Sequence, residues 1–145
     1  METSARKDVY KELREAPSLN YFYLSGTMDS PEVLLDRNKG LIKLSGRSLP
    51  EDAKSFYKPI MDWVINYAKN NIKQNTKVIF QFEYINSSSS KMVLELLELF
   101  KQIFEAKNEN VLKIEWRYLD DDEDMLEAGE DFEERAGVKF NFVCY

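Results

Sequence analysis

The chain has 145 residues, 43% hydrophobic and 32% charged, with a formal net charge of −6. That length supports one domain with a real core, and the acidic balance argues against a dedicated nucleic-acid binder, which needs a basic footprint. His is absent and Cys144 is the single cysteine, which removes the usual general base, any Ser-His-Asp triad, an internal disulfide and a structural zinc site.

Residues 1–18 are polar and charged, with Val9, Tyr10 and Leu13 as a weak helical stripe. They read as an extension ahead of a domain spanning 19–145. They hold no apolar signal core, and no apolar run approaches about eighteen residues, so a cytoplasmic protein without a membrane span is expected.

Leu19 to Leu24 reads as a first strand, closed by Ser25-Gly26. Val33-Leu34-Leu35-Asp36 and Leu41-Ile42-Lys43-Leu44-Ser45 flank Arg37-Asn38-Lys39-Gly40, whose Asn and Gly supply the positive φ of a tight turn, so a β-hairpin is expected. Ser48 and Glu51 have capping-box spacing around Pro50 and mark a helix start. Phe56, Tyr57, Ile60, Met61, Trp63, Val64, Tyr67 and Ala68 then recur at helical period, with Pro59 either kinking that helix or starting a second one. Asn70-Asn71 and Gln74-Asn75 close the segment.

Val78 to Ile85 is rich in β-branched and aromatic residues and reads as a buried strand. Met92, Val93, Leu96, Leu97, Phe100, Ile103 and Phe104 follow with helical spacing. Asn86 and four serines, Ser87 to Ser90, thus stand where a central strand hands over to a buried helix. Val111 to Tyr118 reads as the next strand, Asp120 to Ala136 as an acidic start and short helix ended by Gly137, and Val138 to Val143 as the last strand. The order β-β-β-α-β-α-β-α-β implies an α/β fold: a single domain with a mixed sheet of about five to six strands, antiparallel in its first part, and helices packed on it.

The serine junction has a bland reading and a functional one. One side chain suffices to cap the helix, for roughly 0.5–2 kcal/mol, and four serines leave hydroxyls over. Lys91, in the first turn or so, opposes the helix dipole, a penalty that a nearby anion reverses. Ser88-Ser89-Ser90-Lys91 also matches the S-x-x-K pattern of serine acylases, but S-D-N and K-T-G are both missing. The run Asp120 to Asp124 fails as an EF-hand, with Met125 at the required Gly and Asp131 at the required Glu. Acids there favour a helix N-terminus, and Asp121, Asp122, Glu123 and Asp124 offer, as a second reading, a docking edge for a basic partner. Trp63 and Trp116 read as core.

The segments Gly46-Arg47-Ser48-Leu49-Pro50-Glu51-Asp52, Phe56-Tyr57-Lys58-Pro59, Asp62-Trp63, Phe82 to Ser89 with Lys91, and Asp121-Asp122-Glu123-Asp124-Met125 together resemble the SiaC family of bacterial regulatory phosphoproteins, over about residues 19–143. The resemblance implies a STAS-like domain, similar to anti-sigma-factor antagonists, that is not an enzyme and carries no cofactor. It implies that a partner kinase phosphorylates the residue after the Asn and that a metal-dependent Ser/Thr phosphatase removes the phosphate. The unmodified form then binds an effector, a diguanylate cyclase, raising cyclic di-GMP and favouring biofilm growth. Carried onto this chain, the acceptor is Ser87, where a member of the family has Thr, with Ser88 and Ser89 as alternates. Asn86, Ser88, Ser89 and Lys91 become the phosphate- or partner-binding set, and a homodimer is compatible with the reading. The rival readings are a small Ser/Lys-dependent hydrolase built on Ser88 and Lys91, and a structural dimerisation module in which the serines only cap.

Overall fold

The computed structural model describes residues 19–69, 75–105 and 112–145. The expected extension 1–18, the closing residues Asn70, Asn71 and Gln74, and Val111 lie outside the described residues. Strands β1 (Tyr21–Leu24), β2 (Glu32–Asp36) and β3 (Leu41–Ser48) come first. Helix α1 (Ala53–Lys69), β4 (Thr76–Ile85), α2 (Ser87–Glu105), β5 (Leu112–Tyr118), α3 (Glu123–Ala136) and β6 (Phe140–Cys144) follow. The element order and the single mixed sheet are those expected from the sequence.

The six strands lie in sequence order, β1 to β6. Pairing is antiparallel from β1 to β3 and parallel from β3 to β6. The expected hairpin joins β2 and β3, with the Lys39 N–H donating to Asp36 Oδ1 at 3.0 Å and Gly40 at φ 62°. Three crossovers step the same way across the sheet, and the right-handedness of such connections puts α1, α2 and α3 on one face. Burial alternates accordingly. Val33, Leu35, Ile42, Leu44, Val78, Phe80, Phe82, Ile114, Trp116 and Phe140 are buried beneath the helices. The opposite face carries a polar ladder in which Glu32 accepts from Tyr23 Oη at 2.7 Å and Ser45 Oγ at 2.9 Å. On the same face Glu115 pairs with Lys77 at 3.0 Å and Arg117 at 3.1 Å.

Both tryptophans are fully buried. Trp116 is ringed by Phe80, Phe82, Phe132 and Phe140 at centroid distances of 5.5–6.0 Å, and its indole N–H donates to the Met125 carbonyl at 3.0 Å. Helix α3 can lie this close because residue 129 is Gly: a Cβ there would sit 2.5 Å from Trp116 Nε1.

One of the two readings of Pro59 is excluded, and one local expectation resolves differently. Pro59 lies inside one continuous α1 and starts no second helix. The Ser48/Glu51 capping box does not form. Ser48 still belongs to β3 and points inward, while Asp52 caps α1, accepting from the Ser55 N–H at 3.1 Å and Ser55 Oγ at 2.8 Å. A carboxylate one residue before the helix outcompetes a hydroxyl that the interior already holds.

Candidate functional site

Parallel β3, β4 and β5 all end at one rim of the sheet, and each hands over there to a helix, the usual place for a site in an α/β sheet. At the middle junction Asn86 is the cap. Its side-chain oxygen accepts from the Ser89 N–H at 2.9 Å, and its own N–H donates to the Ser48 carbonyl at 3.0 Å. Capping therefore needs none of the serine hydroxyls.

The serines then divide. Ser89 is fully buried and accepts from Ser48 Oγ at 2.8 Å, while Ser48 also shares a 2.7 Å hydrogen bond with Tyr57 Oη. Burial pushes the Tyr57 phenol well above its ordinary range, with the serine hydrogen bonds opposing. This closed polar knot joins β3, α1 and the first turn of α2, and it fixes where α2 begins. Ser89, expected from the resemblance as an alternate acceptor and a partner contact, is therefore the one of the three suggested hydroxyls with no exposure in this fold. Ser87 and Ser88 are exposed.

A cleft of about 350 Å³ is lined by one of the two exposed serines, Ser87. It lies between α2 and α3, with Ser87, Ser90, Lys91 and Leu94 on one side, Ala128, Asp131, Phe132 and Arg135 on the other, and Ile85 at the strand end. Residues 87, 90, 91 and 94 form one helical stripe. Ser88 is on another and does not line the cleft. Lys91 is exposed and has no ion pair among the described residues. Arg135 pairs with Asp131 at 2.9 Å, one turn away on an exposed surface, a geometry worth only about 0.3–0.5 kcal/mol.

Beside the serines the rim carries a second group. Gly46 has φ 95°, and the β3–β4 register shifts between Gly46 and Arg47. A residue with a Cβ rarely adopts that φ, so the bulge depends on this glycine. It sets Arg47 opposite Tyr84, its guanidinium 5.2 Å from the ring centroid. Arg47 Nε also donates to the Met28 carbonyl at 2.9 Å. Met28 is 84% exposed and Tyr84 44%. Arg, Tyr and Met are residue types enriched where proteins meet partners.

The acidic run divides as well. Asp122 caps α3, accepting from the Met125 N–H at 3.0 Å, while Asp121, Glu123 and Asp124 are exposed at the neighbouring junction. Sequence reasoning missed Arg135, Asp131 and the Met28–Arg47–Tyr84 group. A glycine inside a strand pattern signals a bulge, and Arg135 is the only cation between Asp120 and Ala136; both were visible cues.

No helix among the described residues is long and apolar enough to cross a membrane. The family model for the SiaC family regulatory phosphoprotein matches residues 24–145. A protein of Pseudomonas aeruginosa (strain UCBPP-PA14), described as uncharacterized, is 23% identical over 118 residues, covering 81% of this chain and 91% of its own length. The fold is similar to a chain from the complex of the diguanylate cyclase SiaD with its activator SiaC from P. aeruginosa. That match has a TM-score of 0.78 at 22% identity and covers 86% of this chain and 99% of that one. Apo-SiaC from the same organism gives a TM-score of 0.74 at 22% identity, covering 87% and 98%.

Proposed function

This chain belongs to the SiaC family of regulatory phosphoproteins, and on that footing we propose that it is a non-enzymatic binding protein switched by reversible phosphorylation of Ser87. The regulatory domain is residues 19–145. A kinase adds the phosphate and a metal-dependent Ser/Thr phosphatase removes it. The effector is a diguanylate cyclase, a reading supported by the similarity to SiaC, which activates the cyclase SiaD.

One observation carries the choice of residue. Among the three hydroxyls suggested by resemblance, Ser89 is sealed in the interior and Ser88 faces away from the cleft. Ser87 is both exposed and at the cleft mouth, one helical turn from Lys91. The unmodified rim is a neutral hydroxyl surface next to Met28, Arg47 and Tyr84, on which an effector can pack. Phosphorylation places about −1.5 to −2 charges and three acceptor oxygens there. The effector then meets charge and bulk while the fold stands, because the cap belongs to Asn86 and the polar knot to Ser89.

Cyclase activation by three purified forms tests this: unmodified, Ser87→Ala, and phosphorylated at Ser87. Cyclic di-GMP output should be similar with the first two and at least tenfold lower with the third. Equal output from all three would overturn the reading. Mass spectrometry of protein from its native cell adds a second check: phosphate on Ser87 supports the switch, whereas an acyl-probe adduct on Ser88 would support the hydrolase alternative.

A further inference from the structure

We propose that the α2–α3 cleft receives the phosphate of modified Ser87 within the same chain, with Arg135 leaving Asp131 to clamp it alongside Lys91. The proposal rests on the Ser87 switch and adds what the fold does with the phosphate once it is made.

Four observations converge on the cleft. Ser87 lies at its mouth, so a phosphate on that hydroxyl is delivered by the covalent attachment itself, and about 350 Å³ takes it without backbone movement. The charged groups facing the cavity are Lys91 from α2 and Asp131 and Arg135 from α3, while β4 contributes only apolar Ile85. Leu94, Ala128 and Phe132 complete the apolar part of the lining. Finally, the bond that must break is weak. Asp131 and Arg135 are 57% and 64% exposed, and pairs of this kind contribute little.

The exchange follows from the charges. Asp131 offers Arg135 one negative charge. A phosphate offers nearly two and three oxygens in the geometry a guanidinium fork accepts, and the Lys91 ammonium attracts the same dianion. Phosphate and Asp131 repel, so the carboxylate turns to solvent as the guanidinium swings to the phosphate. Helix α3 is then tied to the start of α2 by a bond that exists only in the modified protein. The bound phosphate is also partly withdrawn from solution, which slows the phosphatase.

The test uses the full chain with phosphoserine incorporated at position 87 during translation, followed by ³¹P NMR titration. Free phosphoserine loses its second proton near pH ~6. In the wild-type background the transition should fall about 1 pH unit lower, as expected for an anion beside cations. Arg135→Gln should move it back towards ~6, Lys91→Gln should move it part of the way, and Asp131→Asn should move it lower still. Opposite responses at neighbouring exposed positions cannot come from loss of folding. A transition near ~6 in the wild-type background, or one insensitive to Arg135→Gln, would overturn the clamp. Effector binding by the same samples reports on the switch alone. Release of the effector by phosphorylated Arg135→Gln leaves the switch intact without its clamp, and retention by the phosphorylated wild-type background refutes the switch whatever the titration shows.

Discussion

Helices α2 and α3 start at the same rim of the same sheet, yet they meet the helix-start problem in opposite ways. Helix α3 supplies its own negative charge, with Asp122 as cap and Glu123 and Asp124 in its first turn. Helix α2 has a neutral cap, Asn86, and no acid in its first turn. Two adjoining junctions with the same geometric task differ in that one is electrostatically finished and the other is left with room for an anion. The finished junction carries its own counter-charge in Asp122, Glu123 and Asp124. The unfinished one sits beside the cleft and the Met28–Arg47–Tyr84 group, where a covalent modification can complete it.

Substitutions at the two junctions break or sharpen this contrast. The largest effect is expected on the α3 side. Gly129→Val forces a branched side chain into the Trp116 indole and should cost about 3 kcal/mol, lowering Tm by roughly 6–12 °C, as calorimetry would show. Next comes the interior of the α2 side. Ser89→Ala leaves a buried hydroxyl of Ser48 or Tyr57 short of a partner and should cost about 1–3 kcal/mol in urea unfolding, whereas Ser87→Ala on the exposed stripe should stay within about 0.5 kcal/mol. Two serines of one helical turn would thus separate into one that holds the fold and one that does not. The cap itself gives a smaller change of either sign. Asn86→Ala should lose about 1 kcal/mol, while Asn86→Asp, which makes α2 begin as α3 does, should gain about 0.3–1 kcal/mol at low salt and lose that gain as salt is added.

The smallest effect lies on the opposite sheet face and serves as a control for the rim. Burial would raise the Glu115 carboxyl, but hydrogen bonds from Lys77 and Arg117 outweigh it and hold the group below its ordinary 4.5. The Tyr23 hydrogen bond chiefly holds Glu32 below the same value, with burial opposing. Both groups ionise more readily folded than unfolded, so their stabilisation is complete above about pH 4.5 and is lost as acid protonates the folded form. Urea midpoints should fall with acidification below that pH, less steeply in Glu115→Gln, with the two helix starts unchanged in their order of stability.

Much of this was legible in the residues, for reasons that also mark the limit. The hairpin was readable because Asn and Gly tolerate the positive φ of a tight turn, which Gly40 takes here, and the three crossovers because helical and strand periods alternate cleanly from Phe56 onward. Ser87 was singled out only by the family resemblance, as the residue after Asn86. The burial of Ser89 was legible in its spacing. That residue precedes Met92 and Val93 by three and four residues, so extending their buried stripe back one turn places it inside. The Ser48 misreading has its origin in one missing tertiary partner, Tyr57. Arg135 was a visible cation in the sequence, but its place in the same cleft as Ser87 was not readable. The two are brought together only by α3 settling onto Trp116, which a glycine forty-two residues downstream of Ser87 permits.

The sequential order of the strands bears on how the molecule assembles. No strand has to be threaded between two that are already paired, so each new strand finds its neighbour at the growing edge as the chain lengthens. Loop-closure costs stay local, which favours quick folding for a sheet of this size. A hairpin of β2 and β3 needs only a four-residue turn and can form first, with each βα unit then laid down in the order of synthesis. The serine junction acquires its final shape only when α3, the last helix, docks beside it. A chain that lacks α3 presents Ser87 without its cleft, so the proposed switch depends on the finished fold.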